Sequence, residues 1–312
     1  MLENTHSWPL GHWLIELCTK CSLECPRCLR QEQGTPVKNK DLFDMEYWSL
    51  EQAKLKKSIP LPLQGKITLV TGALGGIGTA IVKSFIEAGA EVIAVDINKS
   101  ILEKSSFGAT VQKRNIDVTD EKAVEKLVEE LVHDFGGIDI LVSNVGMAFQ
   151  SPMIEIGMSD LRRSFEINFF SHFSLAKLIA QLFIEQGNKG QMLFNISKQA
   201  VNPGRNFGAY GLPKSTLMFL VKQLALELGS YGIRVNGINA DRIRSGMLSE
   251  EFITERAKSR GLTVEQYMSG NLLNKEVEAH HVAKALIDLS LSERTTGHVI
   301  SVDGGNIEAS LR

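Results

Sequence analysis

Beyond Cys28 the chain has no cysteine. All four lie in "CTKCSLECPRC", from Cys18 to Cys28. No disulfide framework can therefore run through the 312 residues, and a tight cluster of this kind in a reducing compartment points to metal rather than to disulfides. An excess of either charge is also missing. Lys and Arg number 34 and Asp and Glu 36, for a formal net charge of -2, which provides no electrostatic footprint for nucleic acid or an anionic membrane surface. The opening "MLENTHSWPLGHW" has neither a basic start nor an apolar stretch, so it does not read as a secretory signal. The longest uncharged run, Ile67 to Val82, is too short for a spanning helix, and Gly72, Gly75, Gly76 and Gly78 interrupt it. There is no internal repeat or low-complexity segment. These absences make a soluble cytoplasmic protein the expectation, with no nucleic acid and no membrane as partner.

Hydrophobic residues make up 43% and charged residues 22% of the chain, enough apolar material for a full core. From Lys66 onward, short β-branched runs alternate with helical spacing. "KITLVTG", "AEVIAVD", "ATVQKRN", "IDILVSN", "GQMLFNI", "IRVNGIN" and "GHVISVD" read as strands. Residues 77–88, 121–135, 159–183, 215–228 and 279–291 carry apolar residues at helical periods. Strict alternation predicts a Rossmann-type, doubly wound α/β fold, with about seven parallel strands covered on both faces. Residues 1–45 form a separate Cys-rich segment, 46–64 a linker ending in "KLKKSIPLPLQ", and 65–312 the α/β domain.

"TLVTGALGGIG" places Gly72, Gly76 and Gly78 between a strand and a helix. Glycines are required where backbone turns tightly, approaches a pyrophosphate and lets helix pack on strand. The helix N-terminus then offers amide donors and positive dipole to the phosphates. Asp96 closes the next strand about twenty residues on, where a carboxylate accepts hydrogen bonds from an adenosine ribose. A carboxylate there repels a 2′-phosphate, and no Arg stands beside it. NAD is expected rather than NADP.

The spacing Thr71-Gly72-x3-Gly76-x-Gly78 resembles the short-chain dehydrogenase/reductase family, and the resemblance covers residues 65–312. Asp117-Val118 matches that family's adenine-reading pair. Ser143-Asn144-Val145-Gly146 stands where the family has Asn-Asn-Ala-Gly. Asn168 lies in the fourth crossover helix, Ser197 ends the fifth strand, and "YGLPK" supplies Tyr210 and Lys214. The resemblance implies a catalytic set of Asn168, Ser197, Tyr210 and Lys214. It also implies cofactor contacts from Thr71, Gly72, Leu74, Gly76, Ile77, Gly78, Asp96, Asp117, Val118, Asn144, Gly146, Tyr210, Lys214, Ile243 and Ser245. Tyr210 and Lys214, four apart, share one helix face, and an ammonium near a phenol favours phenolate and lowers its pKa. Tyr210 is then a general base for alcohol oxidation and an acid for the reverse reaction. Ser197 would hydrogen-bond the substrate oxygen. Asn168 would hold a relay water. Pro213 fits if it stands in the first turn of its helix, where its missing N–H has no partner. Family members assemble through their long fourth and fifth helices, implying a homo-oligomer, either dimer or tetramer.

Two departures bear on substrate. Ala240-Asp241 replaces the family's Pro-Gly after the sixth strand, and Ser245 replaces its usual Thr. Residues 245–275 are long and helix-prone, as a closing lid would be. "NLLNKEVEAHHVAKAL" and "TTGHVISVDGGNIEASLR" are similar to the dehydrogenase half of two-domain rhamnulose-phosphate aldolase/dehydrogenase proteins. That resemblance implies a small hydroxy-aldehyde such as lactaldehyde, or a related sugar-derived alcohol.

Cys21-x3-Cys25-x2-Cys28 resembles the cluster-binding motif of radical S-adenosylmethionine enzymes, which implies a [4Fe–4S] cluster on three thiolates. A zinc site adding Cys18 is a second reading, and a truncated or fused remnant a third. Against the cluster, the short stretch before the linker cannot wall off a radical from water. Two alternatives to the dehydrogenase stay open: a non-catalytic dinucleotide-binding regulator on the same fold, or an iron–sulfur protein using these cysteines.

Overall fold

The protein is described from a computed structural model, which places residues 60–108, 111–246 and 248–306. Seven strands form one parallel sheet in the order β3-β2-β1-β4-β5-β6-β7. They are β1 (Ile67–Thr71), β2 (Glu91–Asp96), β3 (Gln112–Asn115), β4 (Ile140–Ser143), β5 (Gln191–Asn195), β6 (Arg234–Ala240) and β7 (Val299–Val302). The central strands are apolar at every position because both their faces are covered; Ile140 to Ser143 and Gln191 to Asn195 are buried throughout.

On one face lie α3 (Glu121–Phe135), α5 (Ser171–Gln186) and α6 (Gly208–Leu228), which bury Leu127, Leu175, Phe183 and Val221. On the other lie α1 (Gly76–Glu87) and α9 (Ala279–Leu291), with Ile81, Phe85, Val282 and Leu286 in contact with the sheet. The short helix α2 (Lys99–Lys104) was not indicated by the sequence pattern; Asn98 caps it by accepting the Ile101 N–H. Leu63, assigned to the linker on sequence grounds, belongs to the core. It is buried and its N–H bonds to Ala88 O at 2.8 Å, because a single apolar side chain among prolines carries no periodic signal.

The expected helix 159–183 runs from Met158 to Gln186 but is not uniform. Its first segment, α4 (Met158–Phe165), passes through a π turn at Glu166–Phe170 before α5 begins. By length and composition this helix could cross a membrane, yet half of its apolar stretch is buried inside the fold. The helix expected over 215–228 starts earlier, at Gly208. Pro213 therefore sits in its second turn, not its first. The carbonyl that loses its N–H partner there is Ala209 O, and Ser164 Oγ donates to it at 2.7 Å.

The loop after β1 depends on glycine geometry. Gly72 has φ +62°, in the left-handed region that favours glycine. A Cβ at Gly78 would stand 1.9 Å from Gly72 O. Gly78→Ala should accordingly cost at least about 3 kcal/mol, a fall of roughly 6–12 °C in thermal midpoint; a midpoint within 2 °C of the parent would contradict this packing.

Candidate active site

A cleft of about 640 Å³ opens at the carboxyl ends of the strands. This is where a doubly wound sheet leaves space, at the reversal of strand order between β1 and β4. Gly72, Gly76, Ile77, Gly78, Asp96, Asp117, Val118, Asn144, Gly146, Ile243 and Ser245 all line it. The same cleft takes in Ser197, Tyr210 and Lys214, so one cavity joins both groups of sequence-predicted residues.

The β1–β3 end has the features a dinucleotide needs. The N-terminus of α1 faces the cleft through glycines that leave backbone exposed to phosphate. Asp96 Oδ2 accepts the Leu74 N–H at 3.0 Å, and Oδ1 accepts the Asn98 N–H at 3.2 Å. Each oxygen keeps a second lone pair for a ribose hydroxyl. Thr71 and Leu74 do not line the cleft but hold its wall. Thr71 Oγ1 accepts the Asn144 N–H at 3.0 Å, and the Leu74 N–H is taken by Asp96. Asn144 ties three strand ends together. Its Nδ2 donates to Thr71 O and Gly72 O, and its Oδ1 accepts from Asn195 Nδ2 at 2.8 Å. Asn195 lines the same cleft, and its buried Oδ1 has no hydrogen-bond partner among the described residues.

Tyr210 and Lys214 occupy the first two turns of α6, both buried. The Lys214 ammonium lies 5.9 Å from the Tyr210 ring centre and donates to Asn195 O at 3.1 Å and Val145 O at 3.4 Å. Burial pushes the Tyr210 phenol up to about 12, opposed only in part by its hydrogen bond with Ser197. Burial brings Lys214 down to about 7. The expectation that the ammonium lowers the phenol's pKa is not met in the protein alone: desolvation outweighs the one lowering contact, the Ser197 hydrogen bond.

Asn168 is fully buried in the π turn, and its side chain is already occupied. Oδ1 accepts the Met147 N–H at 3.0 Å, while Nδ2 donates to Met147 O and to Ser164 O and Oγ. It does not line the cleft, and both its N–H donors are spent, so a second lone pair on Oδ1 is all that remains for the expected relay water. Instead it fixes the loop after β4. Ser164 then links Asn168 to the carbonyl freed by Pro213.

Sequence reasoning missed His172. Its Nε2–H donates to Val145 O at 2.9 Å, and its Nδ1 accepts from Ser143 Oγ at 2.7 Å. Burial, and next the nearby Lys214 charge, hold it well below the usual histidine range, so it is neutral. Val145 O thus serves both His172 and Lys214. The departure at Ser143 was the available signal, since a hydroxyl there needs a partner across the sheet. Asp241, the other departure, is buried against Lys198 at 2.9 Å and Arg242 at 3.2 Å, and accepts from Asn306 at 2.6 Å. Burial opposes its ionisation, but the Lys198 and Arg242 charges keep its pKa below the ordinary carboxylate value. The region expected to form a lid carries α7 (Glu250–Lys258) and α8 (Val264–Met268), packed on each other through Ile253, Ala257, Tyr267 and Met268. Its residues Phe252, Arg256, Arg260 and Tyr267 wall the outer cleft.

Cys18, Cys21, Cys25 and Cys28 lie outside the described residues. Among the described residues no group of three His, Cys, Asp or Glu could hold a metal ion.

The model of the family described as Enoyl-(Acyl carrier protein) reductase matches residues 72–306. An uncharacterized oxidoreductase, YuxG of Bacillus subtilis, is 30% identical over 289 residues, covering 88% of this chain but 42% of its own length. The 7alpha-hydroxysteroid dehydrogenase of Escherichia coli is 31% identical over 253 residues, covering 80% of this chain and 96% of its own. Among solved structures, a 3-ketoacyl-(acyl-carrier-protein) reductase from Brucella melitensis, complexed with NADH, superposes with a TM-score of 0.70 at 25% identity, covering 78% of this chain and 98% of its own. A short-chain dehydrogenase from Leptospira borgpetersenii with bound NAD+ gives 0.68 at 25% identity, covering 78% and 92%. Fold, cleft and relatives agree: the chain belongs to the short-chain dehydrogenase/reductase family of oxidoreductases.

Proposed function

We propose that this protein moves a hydride between NAD and a small hydroxy-aldehyde, alcohol or sugar-derived substrate, with Tyr210 exchanging the accompanying proton. The observation that carries this reading is the buried Tyr210 phenol, which faces the cleft with Ser197 at its hydroxyl and the Lys214 ammonium beside its ring. A protein that only sensed dinucleotides would gain nothing from burying a titratable phenol and amine together.

The nicotinamide, when bound, supplies the hydride acceptor for oxidation and the donor for reduction. In oxidation the substrate's CH–OH becomes C=O. Two electrons and one hydrogen leave as hydride, and the hydroxyl proton goes to Tyr210. In reduction the neutral phenol returns that proton, and its raised pKa keeps it protonated at neutral pH. Ser197 holds the substrate oxygen beside Tyr210. Lys214 is the residue assigned to the nicotinamide ribose, and Asn144, His172 and Asn168 keep the surrounding loops in place. Asp96 supports NAD over NADP, since Lys99, the basic residue that follows it, stands 4.0 Å from Glu103. The resemblance of "NLLNKEVEAHHVAKAL" and "TTGHVISVDGGNIEASLR" to aldolase-linked dehydrogenases is what supports the sugar-derived class. Exposed Phe170, Phe173, Phe219 and Leu226 on the fourth and fifth crossover helices support a homo-oligomer, and we place the protein in the cytoplasm with residues 65–312 as its catalytic domain.

Tyr210→Phe should lower kcat/KM by roughly 10³-fold or more while calorimetric titration finds NAD bound nearly as before, and more tightly than NADP. Substantial residual turnover, or tighter NADP binding, would refute the assignment.

The lysine gives a second test. Its ordinary pKa of 10.5 falls to about 7 on folding. Between those values the unfolded chain holds a proton that the folded chain lacks, so this residue makes stability rise with pH across the window, by up to about 1.4 kcal/mol per pH unit. Lys214→Met should flatten the rise in thermal midpoint between pH 7 and 9 in the cofactor-free protein; an unchanged slope would contradict a desolvated amine.

A further inference from the structure

The outer half of the cleft holds more cations than the dehydrogenase chemistry uses. Arg163, Lys198, Arg242, Arg256 and Arg260 line it, facing the carboxylates Glu166 and Asp241. Asp241 is committed to Lys198 and Arg242. Among the described residues no carboxylate pairs with Arg163, Arg256 or Arg260.

Arg256 is the best placed of the three. Its guanidinium carbon lies 5.4 Å from the Phe207 ring centre and 5.6 Å from that of Phe252. The two rings meet edge to face at 6.0 Å. Nε is buried without a hydrogen-bond partner among the described residues. Rings fix the plane of a guanidinium and strip its water, but they satisfy none of its N–H donors. A planar fork held this way suits a carboxylate, which takes two parallel hydrogen bonds. Phe207 also touches the Tyr210 ring at 6.5 Å. The fork and the proton-exchanging residue therefore both neighbour one aromatic ring, that of Phe207. Arg260, stacked 5.2 Å over Tyr267, and Arg163 stand exposed at the rim, where they add positive potential. Glu166, also exposed, opposes that field at the π turn.

We infer that the substrate carries a carboxylate, bound by Arg256 of the lid, so that the enzyme acts on small hydroxy acids rather than on neutral alcohols. This rests on the dehydrogenase reading and, within its sugar-derived class, puts hydroxy acids in place of neutral alcohols and hydroxy-aldehydes.

The test compares molecules matched in skeleton: glycerate, glycerol and glycerol 3-phosphate, then gluconate and sorbitol, each with NAD. The acids should exceed their neutral partners in kcat/KM by about 10- to 100-fold, with the difference mainly in KM and shrinking as salt is added. Arg256→Met should collapse that ratio, and Arg256→Lys, which keeps the charge but not the fork, should restore part of it. Equal turnover of neutral members, or a ratio that Arg256→Met leaves intact, overturns the inference. Preference for the phosphate overturns the carboxylate assignment. Binding is read separately on Tyr210→Phe protein loaded with NAD, where glycerate or gluconate should raise the thermal midpoint and glycerol or sorbitol should not. If nothing in the panel is turned over, this thermal shift still decides whether Arg256 binds carboxylates, and its absence overturns the inference.

Discussion

Removing Lys214 and Tyr210 from water is the constraint around which the rest of the site is arranged. Neither group holds its ordinary proton affinity once buried: the phenol rises to about 12 and the amine falls to about 7. Keeping a lysine inside requires acceptors at fixed positions, and two backbone carbonyls supply them at the ends of β4 and β5. Val145 O is held in turn by His172, which Ser143 orients from the strand end. The loop beyond is held by Asn168, through Met147. A protein selected for stability alone would have no reason to bury this pair.

The sheet makes the arrangement work by dividing one cleft into two chemical halves. On the β1–β3 side, glycines, a helix N-terminus and an aspartate suit phosphates and a ribose. On the β4–β6 side lie the titrating groups and the cation-rich wall formed by α7 and α8. Strand order reverses between β1 and β4, so the loops part there and leave room for a ligand to reach both halves. Asn144 joins them mechanically, through hydrogen bonds to β1 and from Asn195 of β5.

Most of the framework was legible in the sequence. Buried parallel strands are short and apolar, and glycine spacing is dictated by backbone contact, so "ITLVTG" and Gly72, Gly76 and Gly78 announced themselves. The Tyr210–Lys214 pair was visible through its four-residue spacing. What escaped were features set by tertiary acceptors. Pro213 looked tolerable only in a first turn, because nothing local reveals that a serine from another helix satisfies Ala209 O. The π turn leaves no periodic trace within one apolar helix. Asn168 carried the right residue type, but its N–H donors are spent on Met147 and Ser164 and it lies outside the cleft lining. His172 lies within the helix expected over 159–183, with nothing local to mark it. Its partners Ser143 and Val145 lie across the sheet, and no spacing rule connects them. The proton affinities were misjudged for the same reason: adjacency on a helix suggests attraction between charges, whereas depth of burial decides the outcome.

The most direct measurement is the titration of the Tyr210 phenol itself, by NMR of protein carrying ¹³C-labelled tyrosine, with the signal assigned by its loss in Tyr210→Phe. In the free protein this tyrosine should titrate well above 10, near 12, and it should move downward when oxidised NAD brings a positive charge into the cleft. A phenol that titrates at or below 10 without cofactor, or that NAD leaves unmoved, would contradict the account.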